Sequence, residues 1–160
     1  MTVRPVEFFK YFQAIAVILF ITSLVAIFLK KVFLLDNFTA NSLYFFFNMG
    51  SESNIPTLFS VIILFLASTH LYVAWKTNAG DKTKNYWIIL AAIFLFLAID
   101  EGATIHEQFN KYGRNLGGGS GYLYYSWIIP YTIFALFAGI YFLRFLLMLP
   151  LKTRKLFIIS

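Results

Sequence analysis

The sequence has no cysteine, which excludes disulfides, thiolate metal sites and cysteine nucleophiles together. Charge is scarce. Asp, Glu, Lys and Arg make up 12% of the 160 residues, against about a quarter in a soluble domain. Proline is rare, and Pro56, Pro130 and Pro150 stand near the ends of apolar runs, where a missing N–H does least harm. There is no basic, aromatic-interleaved soluble segment to hold a nucleic acid. The glycine-rich stretch Gly117-Gly118-Gly119-Ser120-Gly121 has no strand before it and no Lys-Ser/Thr after it. It therefore reads as a connector and not as a phosphate-binding loop.

What is abundant is hydrocarbon. Apolar residues make up 60% of the chain and aromatics 21%, including 20 Phe and 10 Tyr. The mean hydropathy of +0.75 is that of a membrane protein. Four runs, at approximately 11–29, 57–75, 86–107 and 123–149, approach the ~20 residues that cross ~30 Å of hydrocarbon. The predicted fold is all-α: a polytopic membrane protein forming one four-span antiparallel helical bundle over residues 1–160. Nothing after Leu29 looks like a cleavage site, so the first run reads as an uncleaved span.

The connection Val32 to Pro56 is the longest. Its Leu43-Tyr44-Phe45-Phe46-Phe47 segment is too short to span and is predicted to lie in the membrane interface. Asn37-Phe38-Thr39 fits a glycosylation sequon. Asn54 or Ser53 is expected to cap the second helix, with Pro56 near its first position. Ala67, Ser68 and Thr69 are small enough for close helix packing. Tyr72, Trp75, Tyr86, Trp87 and the belt Tyr122, Tyr124, Tyr125 and Trp127 are predicted headgroup-level anchors. The tail Leu156-Phe157-Ile158-Ile159-Ser160, apolar after a basic stop, reads as the beginning of another span of a longer protein, with a short interfacial tail as the alternative.

Positive charge sets the orientation. Arg4, Lys10, Lys76, Lys82, Lys84, Arg144, Lys152, Arg154 and Lys155 fall on one side of a four-span chain, and Lys30, Lys31, Lys111 and Arg114 on the other. Nine against four predicts both termini cytoplasmic, in a bacterial inner membrane.

The third run ends in a polar island, Asp100-Glu101-Gly102-Ala103-Thr104-Ile105-His106-Glu107. Ionisable groups beside hydrocarbon are costly and mark partners or function. If the helix continues through the island, Asp100, Thr104 (~40°) and Glu107 (~−20°) share a face, with Glu101 (~100°) and His106 (~−120°) on its flanks. Asp100 and Glu107 are then ~10.5 Å apart along the axis. No carboxylate–His pair has the i,i+3 or i,i+4 spacing that gives two ligands from one helix. A divalent metal (Zn, Fe or Mn) would therefore need ligands from other helices. His70, a second and separate candidate, lies ~20 Å from His106 along the bundle, too far to share a metal or haem, and reads as a packed interfacial histidine.

The residues leave several readings open. Asp100, Glu101, Thr104, His106 and Glu107 could bind a metal ion or polar ligand between helices. They could form a structural network neutralised by Lys30, Lys31, Lys111 and Arg114, as in an accessory subunit of a membrane complex or a homo-oligomer. They could act on a lipid-linked substrate, with a carboxylate or His106 as base, or relay protons. The lipid bilayer is the one partner the composition fixes.

Leu97-Ala98-Ile99-Asp100-Glu101, Ile105-His106-Glu107, Ser126-Trp127-Ile128-Ile129-Pro130, Arg144-Phe145-Leu146, Leu149-Pro150 and Thr153-Arg154-Lys155-Leu156-Phe157 resemble a group of uncharacterised bacterial multipass membrane proteins with an Asp-Glu…Ile-His-Glu signature on one span. The resemblance covers about the last 65 residues. It implies further spans, one with an acidic residue, and a site at the island, without implying an activity.

The orientation is checked with reporter fusions. A periplasm-dependent reporter fused after Gly118 is expected to be active and a cytoplasm-dependent one silent; the opposite pattern reverses the topology.

Overall fold

The computed structural model describes residues 5–78, 82–115 and 125–159, with side chains from Glu7 onward except those of residues 111–115. Arg4, Gly80-Asp81, the glycine-rich stretch and Tyr122 and Tyr124 lie outside the described residues. Among those described there are seven α-helices and no strand: α1 (Pro5–Ile27), α2 (Phe38–Phe47), α3 (Ile55–Thr77), α4 (Lys84–Ala103), α5 (Ile105–Asn115), α6 (Ile128–Met148) and α7 (Leu151–Ile159). Four of these are long and apolar enough to cross a membrane: α1 with its extension to Val32, α3, α4 and α6. Their surfaces would be untenable in water. Ile140, Phe137 and Leu136 on α6 are 73%, 70% and 63% exposed, a density of bare hydrocarbon that lipid tolerates and water does not.

The chain divides into two compact units, Met1–Val61 and Ile62–Ser160. In the first, α1 loosens into one π-helical turn, Phe28–Val32, before the chain reverses. Lys30 at that turn donates to Asp36 Oδ1 at 2.7 Å, and Asn41 Nδ2 donates to the same oxygen at 3.0 Å. The Lys30 bond, then the Asn41 bond, hold the exposed Asp36 carboxyl below its usual range. Lys31 instead lies 5.8 Å over the Tyr44 ring. The Asn37 side chain accepts from the Ala40 N–H at 2.8 Å and so starts α2. The sequon asparagine is thus the cap of a helix. α2 is longer than the apolar core of the predicted interfacial segment, and it packs on α1. Small residues carry that packing: Ser23 and Ala26 of α1 and Ala40 of α2 are buried. The Met49 N–H closes the unit by donating to Ser23 Oγ at 3.0 Å.

Asn54 organises the following turn with every atom of its amide. Its Nδ2 donates to the carbonyls of Asn48 (2.7 Å) and Ser51 (2.9 Å), and its Oδ1 accepts from the Thr57 N–H (3.0 Å) and hydroxyl (3.1 Å). It is the cap expected of α3, with Ile55 first in the helix and Pro56 second. Ser53, the alternative cap, takes a left-handed φ of 59° instead.

In the second unit, Ser68 Oγ donates to the Ala91 carbonyl at 2.8 Å. Both residues are buried, so the small-residue run on α3 does mark a close contact, with α4. Tyr86 and Trp87, at the start of α4, are half-buried in an aromatic cluster. Tyr86 stacks on Phe145 at 5.2 Å and Trp87 meets it edge-on at 5.0 Å, with Phe157 of α7 6.2 Å away. Phe145 is 2% exposed and is the largest fully buried side chain. This cluster pins the start of α4 to the end of α6, so those helices run antiparallel. The tail predicted to begin another span forms α7, nine residues after a turn at Leu149-Pro150.

Asn54→Ala removes the cap and orphans the N–H and hydroxyl of Thr57. A loss of about 1–2 kcal/mol is expected in detergent-solubilised unfolding, whereas Ser53→Ala, which removes no cap, is expected to change stability by less than about 0.5 kcal/mol.

Candidate functional site

The island does not continue as one helix. α4 ends at Ala103, and Thr104 turns the chain with φ 52° and ψ 39°, its N–H bonded back to the Asp100 carbonyl. A left-handed backbone at a β-branched residue costs on the order of 1–3 kcal/mol and persists only where its surroundings over-determine it. The Asp100 side chain does this. Its Oδ1 accepts from the His106 N–H at 2.8 Å, across the break. One carboxylate thus satisfies a first-turn donor of α5 and sits at the positive end of that helix.

The break rearranges the predicted geometry. Asp100, Thr104 and Glu107 do not share a helical face, and Asp100 and His106, expected about a third of a turn apart, come together. His106 Nδ1 lies 3.3 Å from Asp100 Oδ2. The side chains of His106 and Asp100 are 14% and 7% exposed, so the pair is shielded. Glu101 is half-buried and Glu107 exposed. Of the four proposed countercharges, Lys30 is bonded to Asp36, Lys31 lies over Tyr44, and the side chains of Lys111 and Arg114 lie outside the described residues. His70 is exposed, not packed, and its Nδ1 donates to the Leu66 carbonyl one turn back at 2.7 Å, which fixes the Nδ1–H tautomer.

α6 supplies the partners that sequence reasoning placed elsewhere. Trp127 meets the His106 ring edge-on at 5.2 Å, and Tyr131 lies 5.5 Å from Trp127 and 6.4 Å from His106. The Tyr131 hydroxyl is close enough to Asp100 to feel its carboxylate. It nonetheless lacks the geometry of a hydrogen bond and is buried without a partner. Asn110, one turn beyond His106 on the same face of α5, is 5% exposed, and its Oδ1 is likewise buried without a partner. Unsatisfied buried polar atoms are rare and call for an explanation. Among the described residues, no three of His, Asp and Glu come together to hold a metal ion.

Beside this cluster an open apolar groove of about 500 Å³ runs between α4, α5 and α6. Ile93 and Phe96 form one wall and Pro130 and Phe134 the other, and its lining includes Tyr131, which meets the His106 ring, and Phe109, which meets Tyr131.

Fold and site thus define an all-α membrane protein with a shielded Asp–His pair at a helix break, beside an apolar groove. The chain belongs to the family described as domain of unknown function DUF8692, whose model matches residues 13–160. No curated protein and no solved structure matches it.

Asp100→Ala is expected to cost about 1–3 kcal/mol, by orphaning the His106 N–H in a buried setting. Asp100→Asn, which keeps an acceptor, is expected to cost less. Amide hydrogen exchange checks this: α5 amides should exchange faster in Asp100→Ala while those of α4 before Phe96 hold. Uniform loosening of both helices would contradict the bridging role.

Proposed function

We propose that this protein binds a membrane amphiphile, with the hydrocarbon tail in the α4–α5–α6 groove and the polar head at the Asp100–His106 cluster. The observation that carries the reading is the continuity of groove and cluster: Tyr131 lines the one and meets the His106 ring of the other. A groove of about 500 Å³ is the size of ordinary ligand sites, which bury apolar mass and orient it with a few polar groups. With both termini in the cytoplasm of a bacterial cell, as the positive charges favour, the cluster takes its ligand from the outer leaflet of the inner membrane. A divalent metal finds two donors here, Asp100 and His106, and would have to borrow the rest.

A second reading has its own support. The Asp100 bond to the His106 N–H is what a purely structural cap would make, as in an accessory subunit. The two readings separate in one experiment. Protein purified in mild detergent is examined by native mass spectrometry and its lipid extracted. Amphiphile binding predicts a retained lipid that is lost in Ala92→Trp, whose indole fills the groove without touching the cap. Equal lipid retention by wild type and Ala92→Trp leaves the cap alone as the role of the site.

A further inference from the structure

We infer that the end of the second unit where α3 stops, α4 starts and α7 lies is a docking surface for anionic phospholipid headgroups. It is separate from the groove and the Asp100–His106 cluster and does not rest on the amphiphile reading. In the sequence its cations stand on three segments, and aromatic contacts gather them. Lys84 lies two residues before Tyr86, Arg144 directly precedes Phe145, and Lys155 lies two residues before Phe157. Phe145 meets Tyr86, Trp87 and Phe157 at 5.2, 5.0 and 6.2 Å, so cations of α4, α6 and α7 come to one end of the unit. α3 adds Lys76. Its Nζ lies 4.6 Å over the Trp75 ring, and Lys84 Nζ lies 5.5 Å over the same ring. One indole thus holds two lysines across the α3–α4 connection.

The protein does not neutralise these charges itself. Among the described residues, Lys76, Lys84, Arg144, Lys152, Arg154 and Lys155 make no ion pair with a carboxylate. Asp81 is the one acidic residue of the sequence between 62 and 99 or after 107, and Lys82 follows it directly. Asp100 lies about 24 Å from Lys84 along α4, well beyond the ~8–10 Å over which exposed charges act on each other in physiological salt. Charge alone would suit any polyanion, and α7 decides for a lipid. Beside its three cations it bares Leu151, Leu156, Ile158 and Ile159, which are 63%, 70%, 67% and 82% exposed. A nucleic acid or an acidic protein would leave that hydrocarbon in water. A helix carrying both kinds of side chain is satisfied at the boundary of hydrocarbon and headgroup, where the apolar groups enter the lipid and the cations snorkel to phosphate. Tyr72 and Trp75, in contact at 5.3 Å near the end of the α3 span, are the aromatic pair such a boundary favours. A zwitterionic headgroup brings its own ammonium against the lysines, whereas an anionic one brings phosphate alone.

The test uses the full chain in nonionic detergent micelles, titrated separately with dioctanoyl phosphatidylglycerol and dioctanoyl phosphatidylcholine and read by native mass spectrometry. The two probes share their tails, so the difference between them reports the head. Phosphatidylglycerol is expected to bind at least about tenfold tighter, since each cation near an anionic surface contributes about fivefold. Lys76→Gln combined with Lys84→Gln is expected to weaken phosphatidylglycerol by at least about tenfold and to leave phosphatidylcholine unchanged. Lys31→Gln, which removes one charge from the first unit, is expected to change neither by more than about twofold. Glycerol 1-phosphate, the same charge without tails, is expected to compete only at concentrations at least about a hundredfold higher, because the hydrocarbon of α7 has nothing to gain from it. Phosphatidylcholine binding within about threefold of phosphatidylglycerol overturns the inference. So does a double variant that binds phosphatidylglycerol like wild type, and so does glycerol 1-phosphate competing at the lipid's own concentration. The order of the two lipids on the wild-type chain decides the matter even where the variant does not fold.

Discussion

The hydrogen bond from the His106 N–H to the Asp100 carboxylate is the constraint on which the polar end of this protein depends. Ending a helix among apolar side chains exposes donors and acceptors that water would otherwise satisfy. Here α4 stops at Ala103 and α5 starts two residues later. Thr104 holds a backbone conformation that a β-branched residue avoids. A single carboxylate resolves these demands at once. It answers a first-turn donor of α5, it is favoured by that helix's dipole, and it keeps its own charge partnered. The desolvation that makes a buried carboxylate costly is offset by the break that needs one.

From that bond follows the placement of everything else at the site. α4 is apolar on all sides, as a span must be, whereas α5 is strongly amphipathic. The switch between them lets α5 leave the direction of α4 and turn one face toward α6. His106 then meets Trp127, Phe109 meets Tyr131, and Asn110 is buried on the side of His106. Had the helix run on through Gln108, these residues would have been spread around a cylinder. The groove has the same origin, since Phe109 can line it together with Ile93 and Phe96 only because the chain bends between them.

The sequence was informative where one rule decided. Length and hydropathy placed the four membrane helices, and Asn54 before Ile55-Pro56 announced the start of α3. Ser68 among small residues announced a close helix contact. The location of the site was legible too, because Asp100 and His106 are ionisable groups at the edge of hydrocarbon. Its geometry was not. Gly102 is a weak breaker, no proline marks the turn, and Thr104 is the last residue expected in a left-handed conformation. The signal that could have found the break is the change of pattern, from apolar on every side through Ile99 to the spacing Ile105, Phe109, Tyr112 against His106 and Asn110. Trp127 was legible only as an aromatic near a membrane surface, and nothing in the sequence singled out Tyr131. That both meet His106 depends on tertiary contact between α5 and α6, which no local rule encodes.

The charged groups of the chain fall into two physical kinds, and the contrast bears on what the site can do. Lys30 and Asp36 make a short bond, but the Asp36 side chain is 80% exposed, and water and salt screen such pairs strongly. They fix a loop and little more. Asp100 and His106 are a longer pair in a shielded place, where each lone pair and proton left over has consequences. The protein answers them through the His106 N–H and Nδ1. Asp100 and His106 stand outside the largely apolar lining of the groove, and Tyr131, which meets His106, is the side chain that joins the two.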